Sequence, residues 1–309
     1  MTTRVAIARI HEYESTLLDA AVGVLLEEAG YRPSPGRSVL VKPNLVNSAN
    51  AAVSCTNALV VRTVCERLLE GGEKVMVADS PAFGPASQVA RAAGLSKAIA
   101  PLGLKVVGLK KPRKTMLPCG IEVGLSAQAL DTDLIINLPR LKAHIQMRLT
   151  GAVKNLFGCV VGFRKAFAHN RLGEKGALFR EMIMDLPGAL PPIITLMDAI
   201  RPMHRTGPVK GPAFDLGMLA ASDNEVAVDT TAYMVLGATP ASVPLWQEAV
   251  RRGLPGSDPA DIDYPLENLT HFDAEGFVIP KKLDPVRFDP LRLAKGRMKS
   301  LLRHFRKSG

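Results

Sequence analysis

The chain has 309 residues, 47% hydrophobic and 22% charged. That composition excludes a disordered, collagen-like or coiled-coil polypeptide and leaves room for one large domain or two smaller ones. No apolar run approaches 18 residues, so no transmembrane helix is expected. The start, Met1 to Ile10, predicts a strand and no signal peptide, and the expected location is cytoplasmic. The net charge of +10 is concentrated in two places: residues 140–175 and 287–309 each carry +7, leaving −4 on the remainder.

Short apolar runs alternate with helical patterns along the chain. Strands are predicted at Arg4–Ile10, Ser38–Lys42, Lys74–Asp79, Lys105–Leu109, Asp133–Asn137, Ile193–Asp198 and Asp215–Ser222. Helices are predicted at Ser15–Ala29, Asn57–Glu70, Ser87–Gly94, Asn224–Leu236 and Val243–Gly253, with Ser15 and Asn57 as N-caps. Pro255–Pro265 reads as a loop. Strands such as Val-Leu-Val and Leu-Ile-Ile are apolar on both faces, as buried parallel strands are. The expected fold is therefore α/β, a mainly parallel twisted sheet with helices on both faces in Rossmann-like layers. Residues 1–286 are expected to form a single large α/β unit, with a division into two lobes as the alternative. In 287–309, Leu291, Ala294, Met298, Leu301, Leu302 and Phe305 recur at helical spacing, which predicts a basic amphipathic C-terminal helix.

In parallel sheets a ligand crevice lies outside the carboxyl ends of the strands. Polar residues follow predicted strands at Lys42-Pro43-Asn44, Asp79-Ser80, Asn137-Leu138-Pro139 and Asp198. The segment after Asn137 adds Lys142, His144, Lys154 and Asn155 among small residues and glycines. Around Lys154 the stretch Thr150 to Gly158 is too apolar for a solvated helix surface, and it suits a buried lysine. Glycines let the backbone approach a ligand, lysines favour an anion, and histidine transfers protons or binds metal near neutral pH. Lys42, Asn44, Ser80, Lys142, Asn155 and Lys210 are thus candidate anion-binding residues, with Lys210 from the loop Gly207–Gly211. His144, Lys154 and His169 are candidate catalytic residues. Asp198 could bind a metal or orient a base, and Asp229 is a candidate buried partner for a lysine. P-loop, dinucleotide, zinc-protease and serine-hydrolase motifs are all missing. Cys55, Cys65, Cys119 and Cys159 lack cluster spacing, so an iron–sulfur cluster is not supported by them.

The motifs Lys42-Pro-Asn44, Asp79-Ser80, Asn137-Leu-Pro-Arg-Leu-Lys-Ala-His144, Thr150-Gly-Ala-Val-Lys-Asn-Leu-Phe-Gly158, His169, Asp198 with Gly207-Pro-x-x-Gly211, and Ala227-Val-Asp229 resemble the domain-of-unknown-function 362 family. The resemblance spans about Val39 to Asp261. Many members of that family carry ferredoxin-like cysteine segments, which this chain lacks. The His144, Lys154 and His169 spacing is also similar to one stretch of lactate racemases with a nickel-pincer cofactor. That resemblance implies covalent attachment of a nickel or other metal cofactor at Lys154, metal ligation by His169, and proton transfer by His144. No counterpart of the second catalytic histidine is evident here.

The leading expectation is an enzyme acting on a small anionic metabolite, a carboxylate or a phosphate. The rivals are a redox or metal-centre accessory protein with a redox partner, and a peripheral protein whose basic tail meets an anionic membrane or a partner protein. Nucleic acid is disfavoured, because the tail lacks aromatic stacking platforms.

Overall fold

The computed structural model describes residues 2–162, 176–281 and 283. His169 and the predicted tail helix at 287–309 lie outside the described residues. The main sheet has nine strands: β1 (Ala6–Arg9), β2 (Ser38–Pro43), β3 (Lys74–Asp79), β4 (Val106–Gly108), β5 (Leu134–Leu138), β6 (Arg140–His144), β7 (Arg148–Thr150), β8 (Ile193–Met203) and β9 (Met218–Ser222). From one edge the order is β4-β3-β2-β5-β8-β9-β1. The first five of these run parallel, while β9 is antiparallel to both β8 and β1.

Side chains alternate across the pleat. Val39 and Val41 enter the core on one face, beneath α1 (Ser15–Glu28), α2 (Ala51–Ser54), α3 (Ala58–Glu70), α4 (Ala86–Ala92) and α5 (Leu95–Ile99). Leu40, Ala78 and Ile135 face the other way. They pack with α6 (Ala127–Leu130), α7 (Ala152–Asn155), α8 (Gly176–Asp185) and α10 (Pro244–Arg251). Helix α9 (Glu225–Val235) closes a third cluster over Met197 and Ala220. The α/β architecture, with a mostly parallel sheet between helices, is that expected from the alternating apolar runs.

Two features of connectivity position the site. The chain steps outward from β2 to β3 to β4, then returns to place β5 on the other side of β2. The crevice between β2 and β5 is therefore a topological switch point, where flanking connections leave to opposite sides. Second, β5 and β6 run one after the other beside the same long strand. Ile135–Asn137 pair with Ile193–Thr195, and past Pro139 Arg140 pairs with Asp198. The β5 half stays bonded to β2, whereas β6 departs and forms a hairpin with β7.

Several boundaries differ from expectation. Glu14, not Ser15, caps α1, because its carboxylate accepts the amides of Thr16 and Leu17 at 3.0 Å each. Strand β8 runs past Asp198 to Met203, supported on one side by β6. Within the expected 255–265 loop, Ile262–Asp263 pair in parallel with Thr3–Arg4. The hairpin Pro112–Met116/Glu122–Ser126 was not expected from the sequence.

Candidate functional site at the β2/β5 switch point

Lys42 is the last residue of β2 before Pro43, and its side chain is fully buried. Its amine donates to Asp79 Oδ1 at 2.8 Å, while Asp79 Oδ2 accepts the Leu45 amide at 2.9 Å. The segment 151–158 lies directly on this ion pair: a Cβ at Gly158 would stand 2.2 Å from Asp79 Oδ1 and 2.5 Å from Lys42 Nζ. Lys42 is thus half of a buried pair under a glycine, not a cation turned toward a ligand.

Asparagines fasten the neighbouring strands to α7. The Asn137 amide donates to the Ala152 carbonyl at 3.2 Å and to Thr195 Oγ1 at 3.1 Å, and accepts from Asn155 Nδ2 at 2.8 Å. Asn155 also donates to the Lys42 carbonyl at 3.4 Å. At the start of α7, Asp229 from α9 accepts the Ala152 and Val153 amides at 2.5 and 3.2 Å. Those amides have no partner within the helix, so a carboxylate there satisfies them. Burial nevertheless pushes the Asp229 pKa up to about 7, against the lowering by both amides. A Cβ on Gly151 would lie 2.3 Å from Asp229 Oδ1. Asp229 is therefore the cap of the helix carrying Lys154, where the sequence suggested an ion-pair partner of a lysine.

On β6, Lys142 and His144 are two residues apart and share a face of the strand. The Lys142 amine donates to Asn44 Oδ1 and to the Ser54 carbonyl, the latter at 2.9 Å. Burial, reinforced by the charges of Lys154 and Arg140, lowers its pKa to about 7; Cys55 and Asp79 act in the opposite sense. His144 is buried, and its Nδ1 accepts the Gln146 amide at 3.1 Å, which leaves Nε2 as the protonated nitrogen of the neutral ring. Lys154 is half-buried, with Nζ 5.9 Å from the centroid of the Phe157 ring, and burial lowers its pKa to about 8.

The remaining candidates divide. Asn44 meets Lys142, and half-buried Ser80 directly follows Asp79. Lys210 is exposed on a loop held against the hairpin: the Ile145 amide donates to the Gly207 carbonyl at 3.3 Å, and Asn50 Nδ2 to the Val209 carbonyl at 2.9 Å. Asp198 is fully buried. It accepts from Arg140 at 2.6 Å, Tyr13 at 2.8 Å and the Asn57 amide at 2.9 Å. Its oxygens thus anchor β6, α3 and the β1–α1 loop to β8, an occupied environment unlike that of a metal ligand. Among the described residues no group of three or more His, Cys, Asp or Glu is placed to hold a metal.

Sequence reasoning missed Arg140, Tyr13 and Cys55. Arg140 was legible only as net charge, and Tyr13 has no local signal. Cys55 is buried beside the Lys142 bonding partners, its sulfur accepting the Val46 amide at 3.5 Å. The cysteines do not converge: Cys55 and Cys65 lie in the core on one face of the sheet, Cys159 and Cys119 on the other.

A relative in Synechocystis, the thylakoid-associated protein sll1697, is 33% identical over 99% of this chain and 95% of its own length. Among solved structures, the lactate racemase apoprotein of Thermoanaerobacterium thermosaccharolyticum superposes with a TM-score of 0.48 at 11% identity, covering 75% of this chain. A Thermotoga maritima protein gives 0.47 at 11% identity over 74%. This chain spans only 56% and 60% of those two. Residues 39–234, which hold β2, β3, the α7 segment and Asp229, match the model of the domain of unknown function 362, and the chain belongs to that family.

Proposed function

We propose that the chain is an enzyme that binds a small anionic metabolite, a carboxylate or phosphate, at the β2/β5 crevice and moves a proton there. The observation that carries this reading is the convergence of Lys142 and Lys154, from separate segments, at a switch point where burial lowers both amines toward neutrality. An ordinary lysine, near 10.4, is a poor base at pH 7, whereas one near 7 or 8 exchanges protons readily. His144, on the same strand face as Lys142, is the second proton carrier. Lys42, Asp79, Asn137, Asn155 and Asp229 hold these groups in place.

The finer form of this reading is a nickel or other metal cofactor, held covalently through Lys154 and ligated by His169. The Lys154 amine fits such attachment, since a less basic amine is nucleophilic at neutral pH. When bound, such a group would supply an electrophilic centre next to the substrate. The chain's own residues orient the substrate and carry protons.

Competition labelling with acetic anhydride tests the reading. Lys154 should acetylate ahead of the exposed lysines at pH 7.5, and propionate or phosphate should protect it. Labelling at the rate of exposed lysines, with no protection by either anion, overturns it.

A second reading is favoured by one observation, that the Synechocystis relative is a thylakoid-associated protein. In this reading the basic stretch 287–309 holds the protein on an anionic membrane surface. Among the described residues no helix is long and apolar enough to cross a membrane.

A further inference from the structure

The β6–β7 hairpin turns through Ile145, Gln146 and Met147, and Arg148 then opens β7 directly opposite His144. Arg148 has φ +60°, the left-handed region in which a three-residue hairpin loop ordinarily places glycine. An arginine there is strained, and strain of this kind persists where the side chain is needed. Its Nε is buried with no hydrogen-bond partner, and Arg148 forms no ion pair among the described residues. The register also brings Thr150 opposite Lys142, so Arg148 and Thr150 stand across the hairpin from the His144 and Lys142 positions.

The charges around the crevice decide what would meet this arginine. Lys42 is matched by Asp79, and Arg140 by Asp198. Burial lowers Lys142 to about 7 and Lys154 to about 8, so Lys142 gives up part of its charge at neutral pH and Lys154 does so only above it. Arg148 is left as the one permanent cation among these five that has no counterion among the described residues. A guanidinium fork matches a carboxylate in two parallel hydrogen bonds, and its single lasting charge balances a monoanion but only half the charge of a phosphate dianion. Resting on the reading of the crevice as an anion site, we infer that Arg148 is its carboxylate anchor and that the metabolite is a monocarboxylate.

Saturation-transfer NMR on the full chain, with propionate, propionamide and inorganic phosphate as probes, tests this. Propionate should bind, and propionamide at least about tenfold more weakly, because a charge-assisted pair is lost. Arg148→Gln should weaken propionate by about tenfold or more, and Arg148→Lys should recover part of that. Arg148→Gly should lose propionate yet raise Tm by about 1–3 °C, since glycine relieves the left-handed strain. A merely structural arginine would instead lower Tm when removed. Propionate binding unchanged in Arg148→Gln overturns the anchor while leaving the crevice reading intact. Phosphate binding tighter than propionate overturns the monocarboxylate. Failure of both anions to bind the wild-type chain overturns the crevice reading itself.

Discussion

Lys42 and Asp79 form a buried ion pair, so removing one partner leaves the other charge with backbone groups alone, the Leu45 amide for Asp79 and the Pro43 carbonyl for Lys42. Asp79→Asn is expected to destabilise the protein by about 3–5 kcal/mol, chiefly through the stranded ammonium. Denaturant unfolding of the variant measures this, and a loss under about 1 kcal/mol would mean that the ammonium finds water. Lys142 behaves differently, because its folded pKa of about 7 lies below its unfolded value. Between those values the unfolded chain binds the extra proton, so this group's contribution to stability rises with pH from about 7 toward 10.4. Lys142→Met should therefore gain stability relative to wild type at pH 6, and the gain should shrink by pH 9. Asp229 has the opposite sign. Its pKa is raised to about 7, so its contribution falls as pH rises from about 4 to 7. Asp229→Asn should flatten that decline while retaining an oxygen for the two helix amides. Chemical denaturation across pH checks both.

At the scale of elements, the segment 151–158 works because two of its glycines leave space for carboxylates. Gly158→Ala would drive a methyl into Lys42 and Asp79, and Gly151→Ala into Asp229 and Met197. Each should cost about 1–3 kcal/mol by overpacking. Calorimetry of the two variants reads the cost, and unchanged melting temperatures would show that the segment can lift off the strand ends. Much of this element was legible in the sequence: a lysine among small apolar residues cannot belong to a solvated helix, and Asn137 followed an unmistakable buried strand. The hairpin of β6 and β7 was not, because its strand pattern, Arg-Leu-Lys-Ala-His, carries polar groups that are satisfied only by distant residues. Lys142 needs Asn44 and Ser54, and Arg140 needs Asp198; no local periodicity encodes such pairs. For the same reason Asp198 read as a free acid at a strand end, although three donors from distant chain segments occupy it.

For the whole molecule, the charge map separates a crevice whose cations, Arg148 apart, are matched or lowered in pKa from a terminal stretch that carries +7. Residues near an anionic bilayer gain about 1 kcal/mol per lysine or arginine, so eight of them suffice for salt-sensitive attachment. Co-sedimentation with phosphatidylserine-containing vesicles should thus be strong for the full chain at low salt and weak after deletion of 287–309. Equal sedimentation of the two proteins removes the tail from the second reading. Neutral vesicles should recover neither.

The carboxylate of Asp229 reaches α7 from α9, which follows the last strand of the main sheet, so the clasp on the Lys154 helix is supplied almost 80 positions downstream of it. A nascent or truncated polypeptide ending before α9 would already contain every crevice lysine and yet lack that clasp. Ligand competence should consequently arrive late in synthesis, only once the segment beyond β9 has docked.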